Sequence, residues 1–561
     1  MRVLIHPILL ICCLCFSSQA GAEPLRYEDS FDALRNENWQ EAREILEEVI
    51  AANPYQSMAH YYLATSLMRL DDCAQAIIHF NHAIAAGANA GRNGMRRAYL
   101  NRAACEAREG NGEAALASLE TAWRDWGFDD FASLVDNDGF DTVTSTPEFR
   151  ALAGYTDNET REAHWRADID YFVRLIAETH PDPFHAANET AWRAQAASLR
   201  GDLTRLSDSE IVGGLMLLAS AIGDGHTVVY PPSEGEDAWR LLPFFPMHFS
   251  DGWHIVAAPE ANREIVGARI VGAGSLSISD LTERARTYLP ADNDQTADWL
   301  GGLLFQVFEF YDLVGAADEN NLVTLHLEHQ DGRRVAYQFP AQPIDRDPNA
   351  RTAPADWARM GPEGTNQALW LQQPQTPFWF TELSSGIVYT QVNQVADTEE
   401  QSLGALAQDL VLELRRQNAS TLIIDLRHNN GGNANHAREF VRVLSSFEPF
   451  AEGGHLYVLI GPRSFSATMY LVGALEQYLD PVFIGRPTGG RPTGPSTERP
   501  FRLPYSGVTG SISARLQIDG FSADDHRPWF PPDHVVWPSG TDVRSGHDPV
   551  VEFVLTGLIS P

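Results

Sequence analysis

The chain contains no lysine, so all 41 of its basic residues are arginine. Asp and Glu outnumber them at 75, which gives a formal net charge of −34 at pH 7. A surface of this sign repels other polyanions, and this argues against nucleic acid or an anionic membrane as a partner. Apolar residues make up 44% of the 561 residues, the proportion of an ordinary globular protein.

Cysteine is also scarce, and three of the five cysteines lie within the first 22 residues: Cys12, Cys13 and Cys15. The other two, Cys73 and Cys105, are too few for a metal site, and no His and Cys spacing elsewhere suggests one. We therefore expect neither a metal nor another cofactor. Whether Cys73 and Cys105 form a disulfide stays open, because a sequence does not reveal the geometry that pairing requires.

Apolar runs long enough to span a membrane are missing beyond the N-terminus. Residues 1–22 have an arginine, Arg2, near the start, continue as an apolar run of roughly a dozen residues, and end in Ala20-Gly21-Ala22. This pattern is typical of a secretory signal peptide cleaved after Ala22, and the run is short for a membrane anchor. We expect a periplasmic or secreted protein without a membrane span once the signal has been removed.

Residues 23–155 have the pattern of a helical repeat. Ala42 and Ala76 are 34 residues apart, and Ala115 follows Ala76 after 34 residues and a short insertion. A period of this length, with small residues where paired helices cross, is typical of tetratricopeptide repeats. Such arrays bind partner proteins or mediate self-association, whereas the alternative is a helical hairpin bundle with only a packing role.

The rest of the chain divides into segments of different pattern. They are a helical segment that ends in GDGHT at 156–235, a mixed β module at 236–345, a polar, proline-rich linker at 346–370, and a segment at 371–561 in which strands alternate with helices. Alternation of this kind predicts an α/β sandwich. The predicted fold is a multidomain α/β protein preceded by an all-α array.

Three predicted strand ends carry the chemistry of the α/β segment: Asp425–Gly432, Pro462–Ser466 and Arg486–Gly490. Functional groups of an open sheet gather at the carboxyl ends of its strands. Within the first of these segments, the likelier role of Asp425 and Arg427 is structural, as an ion pair or a turn support. The second, in the sequence LYVLIGPRSFSATMYL, places two serines at a step from strand to helix.

Ser464 suits the N-cap of the helix that begins there, which leaves Ser466 in its first turn. A serine at such a step exposes its hydroxyl near backbone N–H groups that stabilise a developing oxyanion. Attack by this hydroxyl at neutral pH requires a base within hydrogen-bond reach. His226, between glycines and at the boundary of a helix and a strand in AIGDGHTVV, is the candidate base.

Several short motifs occur in an order that resembles the tail-specific, or C-terminal processing, serine proteases. They are LIIDLRHNNGG, SFSAT, IGRPTGG, FRLPYSG and PPDHVV followed by GHDPVVEFVL. HPDPF together with GDGHT is similar to the branch related to the tricorn protease core and to interphotoreceptor retinoid-binding protein. The resemblance covers about residues 160–558 and implies a crotonase-like α/β core, a helical cap and, at 236–345, a β module of the PDZ-like kind.

The resemblance also implies catalytic roles for single residues. One branch of the family pairs serine with lysine, an arrangement that a chain without lysine excludes. The histidine branch implies Ser466 as nucleophile and His226 as general base. The backbone N–H of Ala467 and of Gly431 or Gly432 would form the oxyanion hole. We further assign Gly489 and Gly490 to substrate binding.

Two positions depart from the family pattern. Tricorn-like members have a serine before the histidine, where this chain has Gly225. They also have a glutamate shortly before the PD motif, where this chain has only aspartates. Asp525 is the candidate acid that orients His226, with Asp524 as the alternative, because such a carboxylate fixes the tautomer of the base.

The sequence thus predicts a serine endopeptidase that acts on a peptide or protein substrate, with a repeat array that binds a protein partner or controls access. The alternative is a catalytically degenerate binding protein on the same fold, which takes an apolar ligand or a protein partner. The presence of a nucleophile, a base and a glycine turn favours the enzyme. Gly225 and the missing glutamate favour the degenerate protein.

Overall fold

The computed structural model of the chain describes residues 25–87, 91–135, 137, 139–156, 158–233, 235, 238–340, 352–362, 367–384, 386–450 and 455–559. The predicted signal peptide and part of the predicted linker lie outside these residues. Two compact units are present, residues 1–152 and residues 153–561. Along the parts of the chain that the structure describes, no helix combines the length and apolar character that crossing a membrane requires.

The first unit consists of helices, of which the first six each pack against the next along the chain. They are α1 Phe31–Arg35, α2 Trp39–Ala52, α3 Ser57–Arg69, α4 Cys73–Ala85, α5 Gly91–Arg108, α6 Gly112–Trp126, α7 Ala132–Val135, α8 Asp141–Thr144 and α9 Pro147–Ala153. Ala42, Ala76 and Ala115 are fully buried, as small residues at helix crossings should be. The assignment of this unit to tetratricopeptide repeats stays a prediction.

The two cysteines of the first unit lie at adjoining helices. Cys73 begins α4 and Cys105 lies on α5, and their Sγ atoms are 2.7 Å apart. Both side chains are buried, and burial raises the pKa of the Cys105 thiol. The chain therefore brings together the two thiols whose pairing the sequence left open.

The second unit begins with the predicted helical segment, formed by α10 Arg161–Thr179, α11 Glu189–Gly201 and α12 Asp208–Ser220. A capping box in which Ser207 and Glu210 exchange hydrogen bonds fixes the start of α12. The helix leads into β1 Val228–Val229, which pairs with β15 Thr509–Ile518 through Val228 and Ser511. This sheet, in the order β1-β15-β14 with β14 at Thr493–Arg502, joins the helical segment to the C-terminal part of the chain.

The predicted β module is an antiparallel sheet with three helices. Its strands are β2 Phe245–Phe249, β3 Gly252–Ala258, β4 Arg269–Ala273, β5 Leu276–Ser277, β6 Leu322–Glu328, β7 Arg334–Pro340 and β8 Ala358–Arg359. The main path runs β2-β3-β4-β6-β7, with β5 paired to β4 and β8 to β3. The helices are α13 Ile278–Tyr288, α14 Asp294–Leu304 and α15 Phe308–Leu313. Its PDZ-like character stays a prediction.

The predicted α/β segment contains a six-stranded sheet in the order β16-β13-β12-β11-β10-β9. The strands are β9 Phe378–Ser384, β10 Ile387–Val392, β11 Thr421–Asp425, β12 His455–Ile460, β13 Val482–Gly485 and β16 His534–Val535. All neighbours pair in parallel except β9, which is the antiparallel edge. This architecture confirms the multidomain α/β prediction, whereas the crotonase-like assignment stays a prediction.

Helices cover both faces of this sheet. They are α16 Leu403–Gln417, α17 Ala434–Leu444, α18 Ala467–Leu479 and α20 Pro549–Ile559, whereas α19 Gly540–Arg544 packs through Val543 against Phe249 and Met360. Leu422 and Ile424 of β11 pack with α16, α17 and α18, whereas Ile423 between them packs with α20 on the other face. Such alternation follows from the period of two in a strand. The segments that follow β11, β12 and β13 therefore meet at one edge.

Candidate active site

Ser466 lies at the step from β12 to α18 and occupies the N-cap position of the helix. Its backbone has φ +58° and ψ −127°, a region that side-chain-bearing residues rarely adopt, and its side chain does not cap the helix. Strain of this kind is typical of functional sites, and a sharp strand-to-helix turn exposes the hydroxyl of a nucleophile. The backbone is thus bent so that the hydroxyl is free for other partners.

The prediction that Ser464 caps α18 is wrong. Ser464 is fully buried, its Oγ donates to the carbonyl of Leu426 at 2.9 Å, and it accepts from the N–H of Gly461 at 3.1 Å. A serine that ties the ends of β11 and β12 together in this way is a structural residue. Its hydroxyl supports the turn that carries Ser466.

His226 reaches Ser466 across 240 residues of sequence, with its Nε2 3.0 Å from the serine Oγ. Its imidazole is buried and stacks on the ring of Phe465, with the ring centroids 4.6 Å apart. The nitrogen therefore stands within hydrogen-bond reach of the hydroxyl whose proton a general base would take.

Asp224 fixes the loop that carries His226. Its Oδ1 accepts from the N–H groups of His226 (2.8 Å) and Thr227 (2.9 Å) and from the hydroxyl of Ser513 (2.6 Å). Its Oδ2 lies 2.8 Å from Nε2 of His180, the histidine of HPDPF. The HPDPF and GDGHT motifs are thus in direct contact, and together they hold His226 in place.

The Asp224 carboxylate keeps its charge at acidic pH. Burial acts to raise its pKa, but the hydrogen bonds from His180, Ser513 and Thr227 outweigh burial and hold the pKa at about 2, below the usual 3.8. A carboxyl whose pKa falls on folding stabilises the fold when the pH is above its pKa in the unfolded chain. This contribution disappears as the pH falls through its pKa in the folded chain. The support for His226 therefore weakens only between about pH 4 and pH 2.

Gly225 is a glycine because Phe465 leaves no room for a side chain. A Cβ at Gly225 would stand 2.5 Å from Cζ of Phe465, and this ring stacks on His226. Where a tricorn-like chain has a serine, this chain has an aromatic ring against the histidine. The departure from the family pattern therefore has a local packing cause.

Asp525 and Asp524, the candidate acids, have other surroundings. Asp525 pairs with Arg527, whose Nη2 is 2.7 Å from its Oδ2, and Arg527 also binds Glu476. Hydrogen bonds from Arg527 lower the pKa of Asp525. Asp524 is exposed. Among the described residues, Nδ1 of His226 is buried without a hydrogen-bond partner, so the structure does not bring either acid to it.

Asp292, between α13 and α14, is a buried carboxylate beside the GDGHT loop that was not predicted from the sequence. Its Oδ1 accepts from the N–H of Gly225 at 2.8 Å, and its side chain is 6% exposed. Burial raises its pKa, while the charges of Arg491 and His226 act in the opposite direction. No motif surrounds Asp292, and only the folding of the β module against the GDGHT loop reveals its position.

The candidate oxyanion donors adjoin Ser466. Ala467 is the first residue of α18, so the helix leaves its N–H without an internal partner. Gly431 has φ +115°, and a Cβ there would stand 2.7 Å from Cβ of Ser466 and 3.1 Å from the nitrogen of Ala467. The N–H of Gly431 donates to Asn429 Oδ1 at 3.0 Å, which favours Gly432 as the second donor.

Gly489 and Gly490 support the turn that carries Ser466. Their N–H groups both point to the carbonyl of Ser464, at 3.0 and 3.1 Å. A Cβ at Gly489 would stand 2.1 Å from the carbonyl oxygen of Pro462. Both N–H groups thus already donate to a carbonyl of the protein. The substrate-binding role of the two glycines stays a prediction, and it would involve groups other than these N–H groups.

Arg427 joins two buried carboxylates below this edge of the sheet. Its guanidinium contacts Asp425 at 2.6 Å and Asp548, before α20, at 2.8 Å. Asp425 also accepts from the hydroxyl of Tyr389 at 2.8 Å. The structural role predicted for Asp425 and Arg427 is confirmed, and Asp548 of the GHDPVVEFVL motif is the second carboxylate of this cluster.

Two apolar pockets border the segment 461–465 and share Trp299 and Leu303 among their lining residues. One, of about 270 Å³, is lined by Gly225, Phe465 and apolar residues that include Met216, Leu300 and Leu304. The other, of about 120 Å³, borders the turn at 461–463 and contains the rings of Phe245, Trp253, Trp370 and Trp537. The described residues contain no group of three or more His, Cys, Asp or Glu that could hold a metal ion.

Neither a family model nor a curated protein sequence matches the chain. Among solved structures it is similar to mature CPAF complexed with lactacystin, at 12% identity and TM-score 0.48, over 71% of this chain and 98% of that one. It is also similar to the photosystem II D1 C-terminal processing protease, at 13% identity and TM-score 0.33, over 70% and 99% of the two chains. The tricorn protease matches at 12% identity and TM-score 0.32, over 72% and 37%. Solved structures similar to this chain thus include proteases.

Proposed function

We propose that the chain is a serine endopeptidase that cleaves peptide bonds through an acyl-enzyme. The observation that carries this proposal is the 3.0 Å contact between Nε2 of His226 and the hydroxyl of Ser466. The strained N-cap backbone of Ser466 supports it, because a serine with only a capping role would not require such a conformation.

In the proposed reaction, His226 takes the hydroxyl proton as Ser466 forms a bond to the carbonyl carbon of the substrate. The N–H of Ala467, together with that of Gly432 or Gly431, stabilises the oxyanion. His226 then gives its proton to the leaving amine as the peptide C–N bond breaks. Water hydrolyses the acyl-enzyme by the same route, which restores the serine.

The competing function is that of a binding protein with an inactive site. The ring-lined pocket at 461–463 favours it, because apolar pockets with a few polar groups are typical of ligand sites. In either case, we propose export from the cytoplasm and a protein-binding role for the helical unit.

A fluorophosphonate probe is expected to label the wild-type chain, because such probes react with serines that a neighbouring base activates. Peptide mass spectrometry should place the adduct on Ser466, and His226→Ala should lower the labelling rate strongly. Full-length chain that is folded by circular dichroism but remains unlabelled, and that binds an apolar dye, would favour the binding protein instead.

The pocket beside Phe465 is expected to select an apolar side chain of the substrate. Its lining is mostly apolar and includes the acidic Glu498, so an acidic side chain would lose its hydration there without a cationic partner. Profiling with a peptide library should show enrichment of residues such as Leu, Met or Phe at one position next to the cleaved bond. Leu300→Asp should weaken that preference, whereas Leu412→Asp, at an exposed leucine of α16, should not. Equal cleavage of acidic and apolar peptides would contradict the assignment.

A further inference from the structure

We propose that Asp292 is the positioning residue that orients His226, a role that the sequence predicted for Asp525. This inference rests on the proposed function, because it concerns how the base of that reaction is prepared. It adds a residue from the β module to a site otherwise built from the GDGHT loop and the α/β core.

The first step of the argument concerns the protons of His226. To accept the proton of Ser466 on Nε2, the neutral ring must carry its own proton on Nδ1. That nitrogen is buried and has no hydrogen-bond partner among the described residues. Since no described side chain accepts from this nitrogen, the ring depends on nearby negative charge, above all when it becomes a cation during the reaction.

The second step concerns which carboxylates surround the ring. Asp224 is close, but its Oδ1 already accepts from two backbone N–H groups and from Ser513, and its Oδ2 faces His180. Asp525 is held by Arg527. Asp292 is buried against the same loop, with its Oδ1 2.8 Å from the nitrogen of Gly225 and 3.5 Å from where a Cβ of that residue would stand, and its charge interacts with that of His226.

The third step concerns how Asp292 is held. Its Oδ1 accepts from the N–H of Gly225, the residue next to His226. Its Oδ2 lies 3.4 Å from the backbone nitrogen and 3.9 Å from Nε of Arg491, and an Nη of Arg491 donates to the carbonyl of Gly223 at 3.1 Å. The carboxylate is therefore fixed against the loop of the base from two sides. The positive charge of Arg491 favours its ionised form.

The fourth step is the comparison of charges at the moment of reaction. Protonated His226 would be a buried cation on the loop to which the carboxylates of Asp224 and Asp292 are both hydrogen-bonded. The oxygens of Asp224 are already occupied, whereas Arg491 reaches the carboxylate of Asp292 only at 3.4 and 3.9 Å. Asp292 thus supplies the negative charge that stabilises the imidazolium.

The experiment compares Asp292→Asn with the wild type. The amide oxygen can still accept from Gly225, but the charge is lost, so kcat/KM should fall by about 10²- to 10⁴-fold. Loss of a nearby negative charge disfavours the imidazolium, so the acidic limb of the pH profile should move to lower pH by about one unit. Asp292→Glu, which retains the charge, should recover part of the rate and the original limb.

Asp525→Asn is the matched control and should leave the acidic limb in place. NMR titration of His226, assigned with the help of His226→Gln, gives a readout that does not depend on turnover, and Asp292→Asn should lower the pKa found there. An unchanged His226 titration in Asp292→Asn would overturn the proposal even if activity fell. A wild-type chain that no fluorophosphonate labels would instead reject the proposed function, while the titration would still decide the role of Asp292.

Discussion

Ser466→Ala is expected to lower kcat/KM for peptide hydrolysis by about 10⁴- to 10⁶-fold and to abolish labelling by a fluorophosphonate. The variant lacks the atom that would form the acyl bond, and the other serine whose hydroxyl contacts His226, Ser511, donates to the backbone carbonyl and not to the imidazole. Progress curves with a peptide substrate and in-gel detection of the probe measure the two effects.

The controls use the unusual backbone of the same residue. Ser466→Gly should be equally inactive but more stable by about 1 kcal/mol, because glycine adopts φ +58° without strain. Ser522→Ala, at an exposed serine, should be fully active. Labelling that persists in Ser466→Ala would reject the assignment of the nucleophile.

Arg427→Met is expected to destabilise the second unit by about 3–5 kcal/mol, because it leaves the carboxylates of Asp425 and Asp548 buried without their partner. The side chains of these two residues are 0% and 6% exposed. Pulse proteolysis in urea, with fragments assigned to each unit by mass spectrometry, measures the unfolding midpoint of residues 153–561 separately from that of residues 1–152.

Arg415→Met provides the matched control. Arg415 pairs with Glu448 at the surface, where both side chains are more than half exposed, so its loss should cost less than about 1 kcal/mol. A triple variant with Arg427→Met, Asp425→Leu and Asp548→Leu should recover part of the lost stability, because no unpaired charge remains. Equal midpoints for Arg427→Met and Arg415→Met would show that the buried cluster does not stabilise the unit.

The serine and the histidine could be predicted because short, local patterns carry them. Ser466 follows an apolar strand and precedes an apolar helix, and His226 lies between glycines at a similar boundary. The position of the helix N-cap was nevertheless predicted wrongly, at Ser464 and not at Ser466. Capping preferences depend on residue type and do not reveal a strained backbone. The carbonyl of Leu426, which accepts the hydroxyl of Ser464, belongs to a neighbouring strand end.

The acid that we propose for positioning His226 could not be predicted, because long-range contacts place it. Asp525 lies at the expected place in the sequence, but an ion pair with Arg527, itself held by Glu476 of α18, fixes it elsewhere. Asp292 has no motif and reaches the site only through the packing of the β module. Gly225 likewise looked like a missing serine until the ring of Phe465 accounted for it.

The distance along the chain between His226 and Ser466 has a consequence for biosynthesis. Their contact spans 240 residues, and β1, which follows His226, pairs with β15 through Ser511, beyond Ser466. Contacts between residues so far apart in the sequence form late, because a long loop must close before the contact can stabilise the fold. A nascent polypeptide therefore has no assembled pair until nearly all of it has left the ribosome, and we expect this delay to protect the growing chain from cutting itself.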